Sequence, residues 1–245
     1  MKYSFIRRLA AELVGTAFLL MAVVGSGIMA ERLSGGNVSL ALLENTIATG
    51  AALIALILTF GPISGGHFNP AVTLADATQK GLPWREALGY IAAQCAGAFL
   101  GVYAAHIMFG QRVLQISENA RNGLPQLFSE FIASFGLLAV IWGCSRAQKS
   151  AVPFAVGAYI TAAYWFTAST SFANPAVTVA RSFTNTFAGI RPADAPGFIA
   201  MQFVGALAAT LLFRWLVPSL PERASQLLAA DADPESASDA AYIMK

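Results

Sequence analysis

The chain has 245 residues, of which 56% are hydrophobic and 11% are charged, and its formal net charge is +2. A typical soluble domain has about 25% charged residues, so this composition argues against a soluble globular protein. Disorder is excluded because it requires low hydrophobicity together with high charge. The small net charge argues against nucleic-acid binding. The composition therefore predicts an integral membrane protein that lies mostly within a lipid bilayer.

Apolar runs long enough to cross a membrane recur along the chain. A spanning helix needs about 20 mainly apolar residues, and six segments approach or reach that length. They are residues 13–30, 42–60, 87–109, 127–145, 151–170 and 195–213. The first run follows basic residues, as in a signal peptide, but it is long and has a counterpart later in the chain. The sequence therefore predicts six transmembrane helices.

Two further apolar stretches, residues 61–82 and 171–194, follow the second and fifth predicted spans. Each contains the triplet Asn-Pro-Ala, at Asn69, Pro70 and Ala71 and at Asn174, Pro175 and Ala176. Asparagine as N-cap, followed by proline at the first helical position, begins a helix. Irregular backbone at membrane depth is tolerated only where it is buried in protein or lines a wet cavity. We therefore expect two re-entrant half-helices.

The two halves of the chain share three landmarks in the same order. The matching pairs are residues 11–15 with 129–133, 69–75 with 174–180, and 90–94 with 198–202. Because each half has three spans, the second half must be inverted relative to the first, and inverted repeats of this kind place a binding or permeation site at the midplane. The sequence predicts a single domain, residues 1–217, built from repeats at about 5–115 and 124–217.

Charge predicts the orientation of the chain in the membrane. With six spans, ten of the 15 basic residues lie on the side of the termini and five on the other side. The excess of basic residues predicts that both termini are cytoplasmic. Residues 218–245 are rich in alanine, serine and acidic residues, which is typical of a disordered, solvated tail.

Two Asn-Pro-Ala boxes in inverted halves, the first preceded by Ser-Gly-Gly-His-Phe at residues 64–68, resemble the aquaporin (major intrinsic protein) family over residues 5–217. The resemblance implies an all-α aquaporin fold with six transmembrane helices, two re-entrant half-helices and an inverted 3+3 repeat. It implies a passive channel for water or small neutral solutes, a homotetramer with one pore per subunit, and no enzymatic activity, cofactor or metal. The half-helix N-termini, each with roughly +0.5 charge, would meet at the pore centre and oppose cations.

The resemblance also implies a selectivity filter, whose four positions we transfer by their spacing from the boxes. They are Thr49, Ala162, Ser171 and Val177. Family members usually have arginine in the place of Val177, and aromatic residues or histidine among the others. Small uncharged side chains predict a wide filter for glycerol, other polyols and urea, for metalloid hydroxides such as arsenite and antimonite, and for some water. Val177 resembles a bacterial branch found with arsenic-resistance genes (aquaporin S-like), which implies a bacterial inner (plasma) membrane.

Four further residues are candidates for roles near the pore. Arg181 follows Val177 by four residues and shares its helix face, so we expect it to reach the outer vestibule and replace part of the missing charge. The alternative is a snorkelling arginine or a contact with a loop carbonyl. We expect His67 near the cytoplasmic vestibule, where a pH gate is an alternative. Glu12 and Glu130 are predicted to accept hydrogen bonds from re-entrant backbone, with a proton relay as the alternative.

Other functions remain open at this point. A water-selective aquaporin and a broad polyol channel without a metalloid role share the same fold. A proton-coupled secondary transporter also uses inverted repeats and broken helices, but it needs titratable groups near the midplane. A structural junction protein would show no flux. An enzyme is disfavoured because the sequence has no Ser/His/Asp set, metal cluster or phosphate loop.

Overall fold

A computed structural model describes residues 3–217, which form α-helices, one 3-10 turn and the segments that connect them. In chain order the elements are α1 Phe5–Leu33, α2 Val38–Ser64, α3 Pro70–Thr78, α4 Trp84–Met108, α5 Leu124–Ala147, the 3-10 turn Lys149–Ala151, α6 Val152–Phe166, α7 Pro175–Arg181 and α8 Ala195–Leu216. The predicted all-α fold is confirmed. The predicted acidic tail, residues 218–245, lies outside the described residues.

Five of these helices are long and apolar enough to cross a membrane, namely α1, α2, α4, α5 and α8. Helix α6 has 15 residues, about 23 Å at 1.5 Å per residue, and is shorter than the span predicted at 151–170. The difference arises at its C-terminal end, because Thr167 has an extended conformation with ψ of 138°. Its hydroxyl donates to the carbonyl oxygen of Ala163 at 2.6 Å and caps the helix. The segment 167–174 is therefore irregular rather than helical, with a turn at residues 168–169 and positive φ values at Thr170, Ser171 and Ala173.

Glycines let the helices of each half approach closely. A Cβ atom at Gly97 of α4 would collide with the carbonyl oxygen of Leu13 in α1, and one at Gly205 of α8 would collide with that of Phe131 in α5. Small residues at such crossings allow backbones to pack without intervening side chains. Helix α1 therefore packs on α4, and α5 packs on α8 in the same way, while α2 packs against α6 between the halves.

The short helices α3 and α7 lie inside this bundle. Both contact α4 and α8, and they contact each other. We call the side on which α1 begins and α8 ends the terminal side, and the opposite side the far side. Large apolar side chains are exposed on the outer faces of the long helices, for example Leu88, Ile107, Phe128, Leu207 and Trp215. This apolar exterior is what contact with lipid or another apolar surface requires.

Candidate functional site

The two Asn-Pro-Ala boxes begin α3 and α7, as predicted from their cap chemistry. The backbone N–H of Ala71 donates to Asn69 Oδ1 at 2.9 Å, and that of Ala176 donates to Asn174 Oδ1 at 3.0 Å. Proline follows each asparagine at the first helical position, where its missing N–H needs no partner. Local sequence therefore fixes where both half-helices start.

The N-termini of the two half-helices meet. Asn69 Nδ2 donates to the carbonyl oxygen of Ala173 at 2.7 Å, and Asn174 Nδ2 donates to the carbonyl oxygen of Phe68 at 2.7 Å. An amide nitrogen carries two hydrogens, so each asparagine retains a second donor. Both asparagines line the same cavity. The arrangement offers two N–H donors close together at its centre.

Strained backbone makes this contact possible. Phe68 and Ala173 precede the two caps and have φ values of 48° and 47°. A left-handed conformation costs a residue with a side chain roughly 1–2 kcal/mol and persists only when the surroundings impose it. Here the two residues with this conformation, Phe68 and Ala173, are also the residues whose carbonyl oxygens accept hydrogen bonds from the asparagine of the other half.

Two buried carboxylates hold the strained segments. Glu12 accepts from the backbone N–H groups of His67 at 3.0 Å and Phe68 at 2.7 Å. Glu130 accepts from those of Phe172 and Ala173, both at 2.9 Å. Both carboxylates are fully buried, and buried N–H groups need an acceptor. Glu12 and Glu130 thus lie where the sequence analysis predicted structural acceptors.

Two glutamines tie these carboxylates to the half-helices. Gln94 Nε2 donates to Glu12 and to Thr73 Oγ1, each at 2.8 Å. Gln202 Nε2 donates to Glu130 at 2.6 Å and to Thr178 Oγ1 at 2.8 Å. The same polar set therefore supports the re-entrant backbone in both halves.

A narrow cavity of about 60 Å³ runs past the two asparagines. At roughly 15 Å³ per water molecule it has room for about four waters. Much of the lining is aliphatic and comes from equivalent positions of the two halves: Leu19, Val23, Leu53, Ile57, Leu137, Ile141, Val156 and Ile160. The cavity therefore presents many aliphatic side chains together with a sparse set of polar groups.

Hydroxyl groups cluster where the cavity approaches the far side. Thr49, Tyr164 and Ser171 line it there together with Val177. Thr49 Oγ1 and the Tyr164 hydroxyl lie 3.3 Å apart, within hydrogen-bonding distance. Ser171 Oγ is buried and lacks a hydrogen-bond partner among the residues that the structure describes. The structure thus brings three of the four predicted filter residues to one cavity.

Ala162, the fourth predicted filter residue, is exposed on the outside of α6 and does not line the cavity. The prediction for Ala162 was wrong: it was based on a spacing of twelve residues before Asn174, and in this structure that spacing leads to the outer face of α6. The residue that lines the cavity at this end of α6 is Tyr164, ten residues before Asn174. The prediction that the filter lacks aromatic groups is therefore corrected: a tyrosine hydroxyl faces the cavity.

Arg181 reaches the wall of the cavity, although only 2% of it is exposed. Its Nε donates to the carbonyl oxygen of Ala188, and its Cζ lies 3.4 Å from the ring centroid of Phe172. The sequence left two alternatives for Arg181, a position facing the pore and a contact with a loop carbonyl, and the structure shows both.

His67 lines the cavity towards the terminal side. Its Nδ1 lies 3.1 Å from Thr73 Oγ1, and its Nε2 lies 3.6 Å from Asp76 Oδ2. Asp76, which is 1% exposed, was not singled out in the sequence analysis. The available signal was its place as the first charge after a long uncharged stretch, residues 45–75.

Comparison with known proteins agrees with this geometry. Residues 1–162 match the family model described as Major intrinsic protein. The chain is 53% identical over 221 residues to Aquaglyceroporin AqpS of Rhizobium meliloti (strain 1021), covering 90% of this chain and 94% of that protein.

More distant relatives cover less of the chain or share only its architecture. Aquaporin NIP1-1 of Oryza sativa subsp. japonica is 37% identical over 161 residues, which are 64% of this chain and 56% of that protein. The X-ray structure of the aquaglyceroporin from Plasmodium falciparum superposes with a TM-score of 0.68 over 89% of this chain and 99% of that one. At 21% identity, this likeness shows the fold alone.

Proposed function

Since the chain belongs to the major intrinsic protein family, we propose that it forms a passive membrane channel for glycerol and other polyols, for uncharged metalloid hydroxides such as arsenite and antimonite, and for water. The observation that carries the proposal is the mixed lining of the cavity, to which residues with hydroxyl groups and aliphatic residues both contribute. It is supported by the similarity to a protein named as an aquaglyceroporin.

This mixed lining suits a solute with hydroxyl groups and a carbon backbone. The hydroxyls of a polyol can bond to Thr49, Tyr164 and Ser171, while its CH groups contact the aliphatic side chains of the lining. A metalloid trihydroxide presents three hydroxyls of similar layout. Ser171 Oγ lacks a partner among the described residues, and a buried hydroxyl without a partner is costly. A passing solute that bonds to it would recover that cost.

Positive charge accounts for the exclusion of cations. The N-termini of α3 and α7 meet at the cavity centre, and each carries a partial positive charge. Arg181 adds a full charge about one helical turn, roughly 5 Å, beyond Val177. Fixed positive charge along a pore opposes cations and protons. Arg181 thus takes over part of the role of the arginine that other family members have at the position of Val177.

A water-selective channel is the second candidate, and one observation favours it. Tyr164 and Arg181 both face the cavity, which makes the filter narrower than four small residues would. A proton-coupled transporter is less favoured, because Glu12 and Glu130 each accept hydrogen bonds from two backbone N–H groups and a glutamine, as structural acceptors do.

We further propose that the terminal side faces the cytoplasm of a bacterium, that the membrane is the inner membrane, and that four chains assemble with one pore each. The charge distribution of the sequence supports the orientation. The exposed apolar faces of the long helices would be shared between lipid and neighbouring subunits.

Purified protein in liposomes tests the proposed function. Stopped-flow light scattering would follow water and glycerol, and a filtration assay would follow arsenite. We expect the flux of all three to exceed that of empty vesicles, to rise linearly with concentration, and to ignore an imposed proton gradient. Flux of water alone would favour the water-selective candidate, and saturation with a response to the gradient would favour a transporter.

A further inference from the structure

Arg121 lies in the segment between α4 and α5, outside the cavity wall, and its guanidinium group connects two loops of the far side. Its Nε donates to the carbonyl oxygen of Gly189 at 2.8 Å, and its Nη2 donates to that of Phe187 at 3.4 Å. Both acceptors belong to the loop that follows α7. The side chain therefore grips this loop at two points.

These two points flank the residue that holds Arg181. Ala188 lies between Phe187 and Gly189, and its carbonyl oxygen accepts from Arg181 Nε. Because the carbonyls on either side are fixed by Arg121, the direction of the Ala188 carbonyl is fixed as well. Arg121 therefore holds the two carbonyls that flank the acceptor of Arg181.

The same guanidinium also contacts the segment that leads into α7. Arg121 Nη1 lies 3.3 Å from the carbonyl oxygen of Ser169 and 3.4 Å from Thr170 Oγ1. Thr170 and Ser171 have φ values of 59° and 50°, a left-handed conformation that needs outside support. Arg121 supplies part of that support next to Ser171, whose hydroxyl lines the cavity.

Phe172 completes the link between the two arginines. The Cζ atom of Arg121 lies 5.1 Å from its ring centroid, and the Cζ atom of Arg181 lies 3.4 Å from it. Arginine over an aromatic ring is a favourable arrangement whose geometry is set by both partners. One ring thus contacts both guanidinium groups.

Arg121 is itself anchored. Its backbone N–H donates to Asp194 Oδ2 at 2.8 Å, and Asp194 Oδ1 accepts from Arg191 at 2.9 Å. Burial opposes ionisation of Asp194, but the hydrogen bonds from Arg191 and from the Arg121 backbone outweigh it and lower the pKa of Asp194. The anchor is therefore charged at neutral pH.

We propose that Arg121 is a positioning residue for selectivity: it fixes Arg181 and the Ser171 segment so that the cavity admits neutral solutes and rejects cations. The inference rests on the channel function proposed above. A lysine cannot replace Arg121, because a single ammonium group cannot reach Gly189, Phe187 and Ser169 in the fixed fork of a guanidinium.

A double-mutant cycle tests the proposal. Arg121→Lys should raise the proton and potassium leak of proteoliposomes about fivefold, the effect of losing one to two hydrogen bonds that hold a filter group, while water flux stays within about twofold. In an Arg181→Met background, Arg121→Lys should add nothing to the leak, because its effect passes through Arg181. Arg112→Lys, an exposed arginine of the same segment, is the matched control and should leave leak and flux unchanged.

Two results would overturn the proposal: an Arg121→Lys leak equal to that of wild type, or leaks of Arg121→Lys and Arg181→Met that multiply in the double variant. If Arg121→Lys does not yield stable protein, Asp194→Asn loosens the anchor and enters the same cycle, with the same two outcomes. The proposed function and this proposal fail in different measurements. If the channel passed only water, the proposed function would be wrong, but the cation leaks of the single and double variants would still measure the coupling between Arg121 and Arg181.

Discussion

The re-entrant segments of the two halves have the same structure at the centre of the molecule and differ at the two ends of the cavity. We call these ends the far mouth, on the far side, and the terminal mouth, on the terminal side. Asn69 corresponds to Asn174 at a spacing of 105 residues, and at the same spacing Asp76 corresponds to Arg181. Asp76 lies behind His67, at 3.6 Å, whereas Arg181 lies against Phe172 and lines the cavity. Equivalent positions thus hold an acidic residue in one half and a basic residue in the other, and only the basic residue lines the cavity.

The difference separates what the fold requires from what the function requires. At the centre, both halves must satisfy the same buried N–H groups, so Glu12 and Glu130 make the same contacts. The mouths carry no such shared demand. We infer that selectivity is set at the far mouth, and the following predictions test that inference from the largest expected effect to the smallest.

Removing either central carboxylate should cause the largest loss of stability. Glu12→Ala or Glu130→Ala leaves two buried backbone N–H groups without an acceptor, at about 1–3 kcal/mol each. Both variants should lose thermal stability in detergent by a similar amount, with Glu12→Gln and Glu130→Gln less affected, because an amide oxygen still accepts. Tolerance of one alanine variant but not the other would contradict the equivalence of the halves.

Replacing the basic residue at one mouth and the acidic residue at the other should have unequal effects. Arg181→Met should raise proton leak about tenfold or more, since a unit charge near a narrow pore opposes cations strongly. Asp76→Asn should change the leak less than about twofold, because Asp76 lies outside the cavity wall. A pH-sensitive dye inside the vesicles measures both. Equal effects would show that the mouths do not divide the work as inferred.

Widening the far mouth should change the preference between solutes. Tyr164→Ala removes the aromatic group from the cavity and should raise the ratio of glycerol to water permeability about threefold, which corresponds to about 0.7 kcal/mol of barrier. Ala162→Ser, on the exposed face of the same helix, should leave the ratio unchanged. If the Ala162 variant shifted the ratio instead, the inward-facing position would have been misidentified.

The smallest effect is expected at the strained residue of the second half. Ala173→Gly relieves a left-handed conformation but increases the entropy of the unfolded chain, so the free energy of unfolding should change by less than about 0.5 kcal/mol. Ala133→Gly, inside α5, should cost about 1 kcal/mol because its conformation is helical. Chemical denaturation in detergent compares the two, and equal losses would argue against strain at Ala173.

Local chemistry explains which parts of the fold could be predicted from the sequence. The starts of α3 and α7 depend on the Asn-Pro pair alone, and the apolar runs predict the long helices. Glu12 and Glu130 could be predicted because few acceptors exist in apolar spans. Each of these inferences depends on neighbouring residues or on the repeat.

Contacts between distant segments explain what could not be predicted. The spacing from Asn174 predicted Ala162, whereas Tyr164 lines the cavity, because the irregular segment between α6 and α7 decides which face of α6 points inward. Arg121 acts on loops 48 to 68 residues away, and nothing in its own surroundings indicates that role. Asp76 was not predicted because its partner, His67, does not belong to α3 but lies in the segment before this helix.

We propose that the far mouth selects the solute. Val177 lies at this mouth, and Arg181 lies about one helical turn beyond it. The most direct test is the flux of glycerol, arsenite and water through Val177→Arg proteoliposomes compared with wild type. We expect glycerol and arsenite flux to fall about tenfold, about 1.4 kcal/mol of added barrier, while water flux stays within about twofold. Unchanged flux of all three would place the constriction elsewhere and contradict the claim.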